Sequence, residues 1–393
     1  MLLIIFYSIQ INSSFAQNPH CGFNEILYKK SEHSDYFINN VDSISHLFLS
    51  QLNIRSVISI PVVVHIVWRT NEENINDEKV ISQINVLNRD FNSENGDLST
   101  IPDEFKPFIS NGGIHFCLAS KNPQGLSVSG IVRSHTNIEH IGITNELYHT
   151  ELGGSDAWDT KRYYNIWVAN LSDGLTGFGA FPGMVSDEKD GAVINYKYFG
   201  ETTQSIKYNL GRVTVHETGH YLGLKHIWGD DEDCNSDDDI GDTPPQLHEY
   251  TGCPAYPQYS CDFSNMFMNF MDYVNDGCMV FFTEGQMKKM ISTLINLRPG
   301  LVLNEIPCVQ INGDKLNPKF KIFPNPASRE LSIYFEDILP QSGEVNIYNE
   351  IGQSVFKQQF VFIKNFKLGL PDLIPGFYCV KIENSFAKLI ISN

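Results

Sequence analysis

The stretch Arg212-Val213-Thr214-Val215-His216-Glu217-Thr218-Gly219-His220-Tyr221-Leu222-Gly223-Leu224-Lys225-His226 decides how the rest of the chain is read. An α-helix turns once every ~3.6 residues, so His216 and His220, four apart, leave from one face and offer two imidazole nitrogens to one metal ion. Glu217 then stands beside the metal and not on it. Gly223, three residues after the second histidine, is free to adopt positive φ, which ends the helix and swings the chain so that His226 brings a third nitrogen from a loop. Three protein ligands leave one position for water, which separates a catalytic zinc site from a closed structural one.

An isolated H-E-x-x-H arises by chance, and two satisfied core histidines beside an exposed glutamate are the bland alternative. The context argues otherwise. Tyr208 to Leu210 with Val213, Val215 and Leu222 predict an apolar, buried helix in which a carboxylate has no evident partner except water on a metal. Gly223 and His226 fall at the offsets of the longer H-E-x-x-H-x-x-G-x-x-H pattern.

The motif continues as His226-Ile227-Trp228-Gly229-Asp230, and downstream stand Asn269-Phe270-Met271-Asp272-Tyr273 and Phe282-Thr283-Glu284-Gly285-Gln286. With these the chain resembles the pappalysin family of metzincin metalloproteases, particularly its secreted bacterial members, over residues 55 to 300. The resemblance implies an α+β catalytic domain: a twisted, mixed five-stranded sheet with a backing helix and an active-site helix. It implies that Met271 sits in the Met-turn beneath the imidazoles without ligating, and that the Tyr273 hydroxyl donates to the oxyanion of a tetrahedral intermediate. It also favours the pairings Cys234 with Cys261 and Cys253 with Cys278; by count alone four cysteines allow three connectivities. Asp276 and the residues around Cys278 lie where the family's S1′ pocket is walled, so an acidic floor there would favour a basic side chain after the scissile bond.

The sequence has 393 residues, 28 basic against 46 acidic side chains and a net charge of −18. This balance argues against nucleic acid or an anionic membrane as partner. Residues 1–16 read as a signal peptide, with the apolar run Leu2-Leu3-Ile4-Ile5-Phe6 and Ser14-Phe15-Ala16 before Gln17, although without a charged n-region. That run is too short for a membrane anchor and no later one is long enough to span a bilayer. An exported protein in a disulfide-permitting compartment, acting as a monomer, is expected.

Residues 17–55 read as a propeptide carrying Cys21-Gly22, and residues 56–305 as the metalloprotease domain. Cys21 is a possible zinc ligand of a latent form, because a thiolate on a removable segment can fill the fourth position; some pappalysin relatives carry such a switch. An idle thiol, or a bridge to Cys117, is the alternative, and Cys117, Cys308 and Cys379 have no evident partners.

Within the domain, Ile60 to Trp68 predicts a buried strand in which His65 is structural, and Asn76 to Phe91 a helix capped by Asn76 or Asp77. Strands are expected at Ile114 to Ala119, Asn165 to Ala169 and Ala192 to Tyr196. Leu175-Thr176-Gly177-Phe178-Gly179-Ala180-Phe181-Pro182-Gly183 has alternating glycines that admit another backbone and a proline suited to an edge. In metzincins the strand at this place is the antiparallel upper rim of the cleft, to which substrate adds as a strand; a glycine-rich surface turn is the alternative. The carboxylates from Asp230 to Asp242 repel one another unless screened, so Asp237, Asp238 and Asp242 are possible Ca²⁺ ligands, against a solvated loop. Pappalysin relatives bind calcium close to this segment.

Residues 315–393 alternate as half-buried strands and predict a small β-sandwich. Phe323-Pro324-Asn325-Pro326 with Leu373-Ile374-Pro375-Gly376-Phe377-Tyr378 is similar to the C-terminal sorting domain of the type IX secretion system, and implies that machinery as a partner. The reading is a secreted Zn²⁺ endopeptidase acting on proteins or peptides through a zinc-bound water and Glu217 as general base. A non-catalytic zinc-holding binding or adhesion protein is the rival, against which Glu217 and the open position argue. A thermolysin-like zincin is disfavoured by Gly223 and His226.

Overall fold

The computed structural model describes residues 20–23, 58–171, 174–203, 205–231, 233–302, 306, 308, 320–335, 342–349, 352–361, 365–382 and 385–392. The expected signal peptide and most of the expected propeptide lie outside these residues. The chain forms two compact units, Met1–Val309 and Gln310–Asn393. Among the described residues, no helix is long and apolar enough to cross a membrane.

The first unit is built on a mixed sheet. Its strands are β1 (His20–Cys21), β2 (Ile58–Trp68), β3 (Ile114–Leu118), β4 (Ile131–His135), β5 (Tyr164–Ala169), β6 (Leu175–Gly179) and β7 (Gly191–Asn195), in the order β1-β6-β7-β5-β2-β3, with β4 also pairing β2. Five of the seven lie where the sequence places them. The additions are β4, half-exposed and weakly patterned, which runs beside the second half of β2, and the two-residue β1. The β-branched run of β2 is buried along nearly its whole length, as a central strand covered on both faces requires.

Helix α1 (Asp77–Phe91) backs this sheet. Asn76 is its N-cap, accepting from Lys79 N at 3.0 Å, and Val80, Ile84, Leu87 and Phe91 are buried. The buried Gln83 donates to Gly211 O and accepts from Gly200 N and Thr214 Oγ1, so α1 fixes the start of helix α2 (Arg212–Tyr221) through one amide. His65 is structural, as expected: its ring lies between Ser155 Oγ and Asn165 Oδ1, each at 2.9 Å, and stacks on Trp167. Past α2 the chain has little regular structure, only the short pairs β8 (Thr251–Gly252) with β11 (Tyr273–Val274) and β9 (Tyr259–Ser260) with β10 (Phe263–Ser264), before helix α3 (Glu284–Asn296). Disulfides Cys234–Cys261 and Cys253–Cys278 close this segment. A third, Cys117–Cys308, joins two cysteines to which sequence assigned no partner, and it excludes a bridge from Cys21 to Cys117.

The second unit is all-β. β12 (Phe320–Phe323), β13 (Glu330–Phe335) and β16 (Asn365–Gly369) make one antiparallel sheet; β14 (Ser342–Asn349), β15 (Ser354–Val361), β17 (Gly376–Ile382) and β18 (Ser385–Ile391) make the other. Leu331, Ile333 and Leu368 from the first meet Val345, Ile347, Val380, Ile382, Leu389 and Ile391 from the second in one core, so the unit is a sandwich.

Candidate active site

Helix α2 starts later than its apolar pattern suggests. Gly211 has φ +74°, outside helical space, so Tyr208 to Leu210 precede the helix and do not join it. The Asp276 carboxylate covers this start: Oδ2 accepts from Leu210 N and Arg212 N. At the other end Gly223 has φ +88°, and Gly223 N and Leu224 N donate back to His220 O and Gly219 O. A Cβ on Gly223 would lie 2.6 Å from Thr293 Oγ1, so glycine is required there for space as well as for φ.

The turn brings His226 to the two helix histidines. His220 Nε2 lies 3.1 Å from His216 Nε2 and 3.0 Å from His226 Nε2. Each Nδ1 faces an acceptor: Phe270 O for His216, Leu224 O for His220 and the Asp230 carboxylate for His226. In the tautomer that donates from Nδ1 to these acceptors, each Nε2 presents a lone pair to the common point. Burial keeps the first two rings neutral, taking His216 down to about 3 and His220 well below the usual histidine range. Three lone pairs converging on one point repel unless a cation sits among them, so this donor set fits zinc.

Glu217 projects beside the cluster, fully buried, with Oε1 lacking a hydrogen-bond partner. Burial pushes its carboxyl up to about 8. Strand β6 lies against it at a distance that only glycine allows: a Cβ on Gly179 would fall 2.0 Å from Glu217 O, and one on Gly177 2.9 Å from Glu217 Cγ. These alternate glycines do admit a second backbone, that of α2. β6 runs antiparallel to β7, as the rim reading requires.

Beneath the helix, a Cβ on Gly219 would lie 2.4 Å from Met271 Sδ, so the thioether packs on the bare helix backbone. Asn269 and Gln286 exchange side-chain amide hydrogen bonds of 2.8 and 3.0 Å, and Thr283 with Gln286 forms the capping box of α3. This ties the turn at Met271 to the phrase that follows it. The Tyr273 ring stands 5.6 Å from the His216 ring and 4.8 Å from that of His226.

Cys21 closes the site. Its Sγ and the three histidine nitrogens all lie within 4.8 Å of one another, the one such group of metal-binding side chains among the described residues. The thiol donates to Glu217 Oε2 at 3.4 Å and also meets the Tyr273 hydroxyl, so Glu217 has a partner that sequence did not suggest. β1 is held on the rim by Gly22 N to Gly177 O at 2.8 Å, running parallel to β6.

The acidic segment is less convergent than its composition implies. Asp237, Asp238 and Asp242 do not gather as a three-carboxylate cluster. Asp242 is engaged at the start of α3 by Thr283 Oγ1 and Gly285 N, and Asp237 accepts from Asp239 N. Asp238 is buried, with Oδ1 satisfied by Ile240 N and Thr243 Oγ1 and Oδ2 without a partner, and burial drives its carboxyl well up. Sequence reasoning missed the buried charge network beneath the site: Arg212 pairs with Asp90 at 3.1 Å and with Asp97 at 2.6 Å and donates to Asp276 O. The available signal was Arg212 itself, a cation heading an apolar helix, which needs buried anions.

Known proteins share this architecture. Residues 149–295 match the peptidase M43 family model described as pregnancy-associated plasma protein-A, and residues 321–392 match a secretion system C-terminal sorting domain. An extracellular metalloprotease of Arthroderma gypseum is 30% identical over 283 residues, 69% of this chain and 80% of that protein. Mature mirolysin of Tannerella forsythia, solved with a cleaved peptide, is similar at 42% identity and TM-score 0.61, covering 63% of this chain and 96% of that one. A promirolysin variant of the same organism is similar at 38% identity and TM-score 0.66, covering 72% and 97%. Relatives matched over most of their length, on a donor set suited to zinc and with a sorting domain behind it, identify the chain as a secreted zinc metalloendopeptidase of the M43, or pappalysin, family.

Proposed function

We propose that His216, His220 and His226 hold the zinc and that Glu217 is the general base of peptide hydrolysis. The observation that carries this is the convergence of three histidine Nε2 atoms beside a fully buried carboxylate. When bound, zinc lowers the pKa of a water and polarises the scissile carbonyl. Glu217 accepts the proton of the attacking water and passes it to the leaving amine. The Tyr273 hydroxyl donates to the developing oxyanion. Peptides add to β6 as a strand, held by main-chain hydrogen bonds of the kind that Gly22 makes. A basic residue is preferred after the scissile bond, with Asp276 as the acidic floor that the resemblance implies.

The chain as folded is latent in this reading: residues 17–55 act as a propeptide in which Cys21 occupies the fourth position and engages Glu217 and Tyr273. Similarity to a promirolysin supports it. Asp238, with its orphaned Oδ2, marks a calcium ion in the acidic segment. The protein works as a monomer, and residues 315–393 carry it through the type IX machinery. Digestion of a diverse peptide mixture by the form cut near residue 55, read by mass spectrometry with and without chelator, tests the peptidase reading: chelator-sensitive cuts support it, and chelator-independent or absent cutting overturns it.

A further inference from the structure

Phe23, two residues beyond the cysteine, is 2% exposed although it lies just past the two-residue edge strand β1. Its ring stacks on the metal-facing imidazole of His220, centroids 4.1 Å apart and planes within 5°. It meets His226 edge-on at 5.5 Å and Phe181, just past the end of β6, at 6.1 Å. The two histidine walls of the slot and the backbone at Phe181 are held by partners other than Phe23. His220 is fixed by Nδ1 to Leu224 O, and His226 is backed by Trp228, stacked at 4.4 Å. Phe181 is placed by Ala180 N to Gly191 O on one side and Met184 N to Phe181 O on the other.

From this we infer that Phe181, the face of His220 and the ring of His226 form a substrate subsite for an aromatic side chain, which Phe23 fills in the latent chain. The inference rests on the reading that peptides add to β6 at the metal. A strand hydrogen-bonded to β6 places its side chains at fixed intervals along the rim, alternating between its two faces, and the one that falls beside Phe181 on the metal side enters this slot. A flat ring gains there both burial and three ring contacts, stacked on His220, edge-on to His226 and tilted against Phe181, which a small or charged side chain cannot match.

Two measurements test it. In the peptide-mixture digest by the form cut near residue 55, Phe, Tyr or Trp should be enriched at one fixed position within three residues of the cut. In Phe181→Ala the ratio of kcat/KM for an aromatic over an alanine at that position should fall roughly five- to tenfold, the size of a lost aromatic pair. Independently, a synthetic peptide of residues 18–25 with Cys21→Ser, so that no thiol reaches the metal, should inhibit the enzyme roughly five- to tenfold better than the same peptide with Phe23→Ala. Chelator-sensitive cutting with no positional aromatic preference, or equal inhibition by the two peptides, overturns the subsite and leaves the peptidase reading intact. Absence of chelator-sensitive cutting overturns both.

Discussion

Cys21 Sγ lies 3.4 Å from Glu217 Oε2, so one thiol both joins the histidine cluster and engages the carboxylate assigned to catalysis. Burial raises the thiol well above its usual range, and the Glu217 charge adds to this. A cation among the histidines opposes both effects and favours the thiolate, which is the form that ligates.

Replacing Cys21 should therefore release activity without proteolysis. Unprocessed Cys21→Ala is expected to cleave peptides before any cut near residue 55, whereas the unprocessed wild type does not. Equal activity of the two forms would remove the thiol from latency.

Calcium should stabilise the domain before it affects chemistry. With the cation gone, the carboxylates from Asp230 to Asp242 repel within a segment pinned at Cys234 by the Cys234–Cys261 disulfide, and Asp238 Oδ2 loses its counter-charge. The melting midpoint is expected to fall in calcium-free buffer while zinc content is unchanged. Identical midpoints would leave the segment as solvated surface.

Acid should destabilise the first unit through His65. Burial lowers its folded pKa from 6.5 to about 4. Between these values the unfolded chain binds a proton that the folded chain does not, so stability is complete above about pH 6.5 and falls as the pH drops towards 4. At ~1.4 kcal/mol per unit, the loss approaches about 3 kcal/mol. Urea unfolding from pH 7 to 4 should show a shallower slope for His65→Gln than for the parent, and parallel slopes would contradict the assignment.

What the sequence made legible was local. Gly223 ends α2 where the motif offsets demand it, and Asn76 caps α1 as its side chain suggests, because caps and turns are decided within a few residues. The remainder depended on distant partners. The start of α2 was set too early because Gly211, held by Gln83 from α1, imposes a left-handed turn on an apolar run. β4 was missed because Ile131 to His135 is half-exposed and short. Cys117 and Cys308 are 191 residues apart, and the Arg212 network draws on Asp90, Asp97 and Asp276; no periodicity reports such contacts. In the acidic segment composition alone does not say which carboxylates have local partners: Asp242 serves the start of α3 and Asp237 its own turn, while Asp238 Oδ2 is left over.

The central claim is that Glu217 moves the proton while the histidines alone hold the metal. Glu217→Gln keeps the shape of the side chain and cannot accept a proton, so metal analysis of the processed variant should find zinc as in the wild type, while peptide cleavage falls by roughly 10²–10⁴-fold. His226→Ala in the same assay should lose the metal. Zinc retained with cleavage at near wild-type rate in Glu217→Gln would contradict the account.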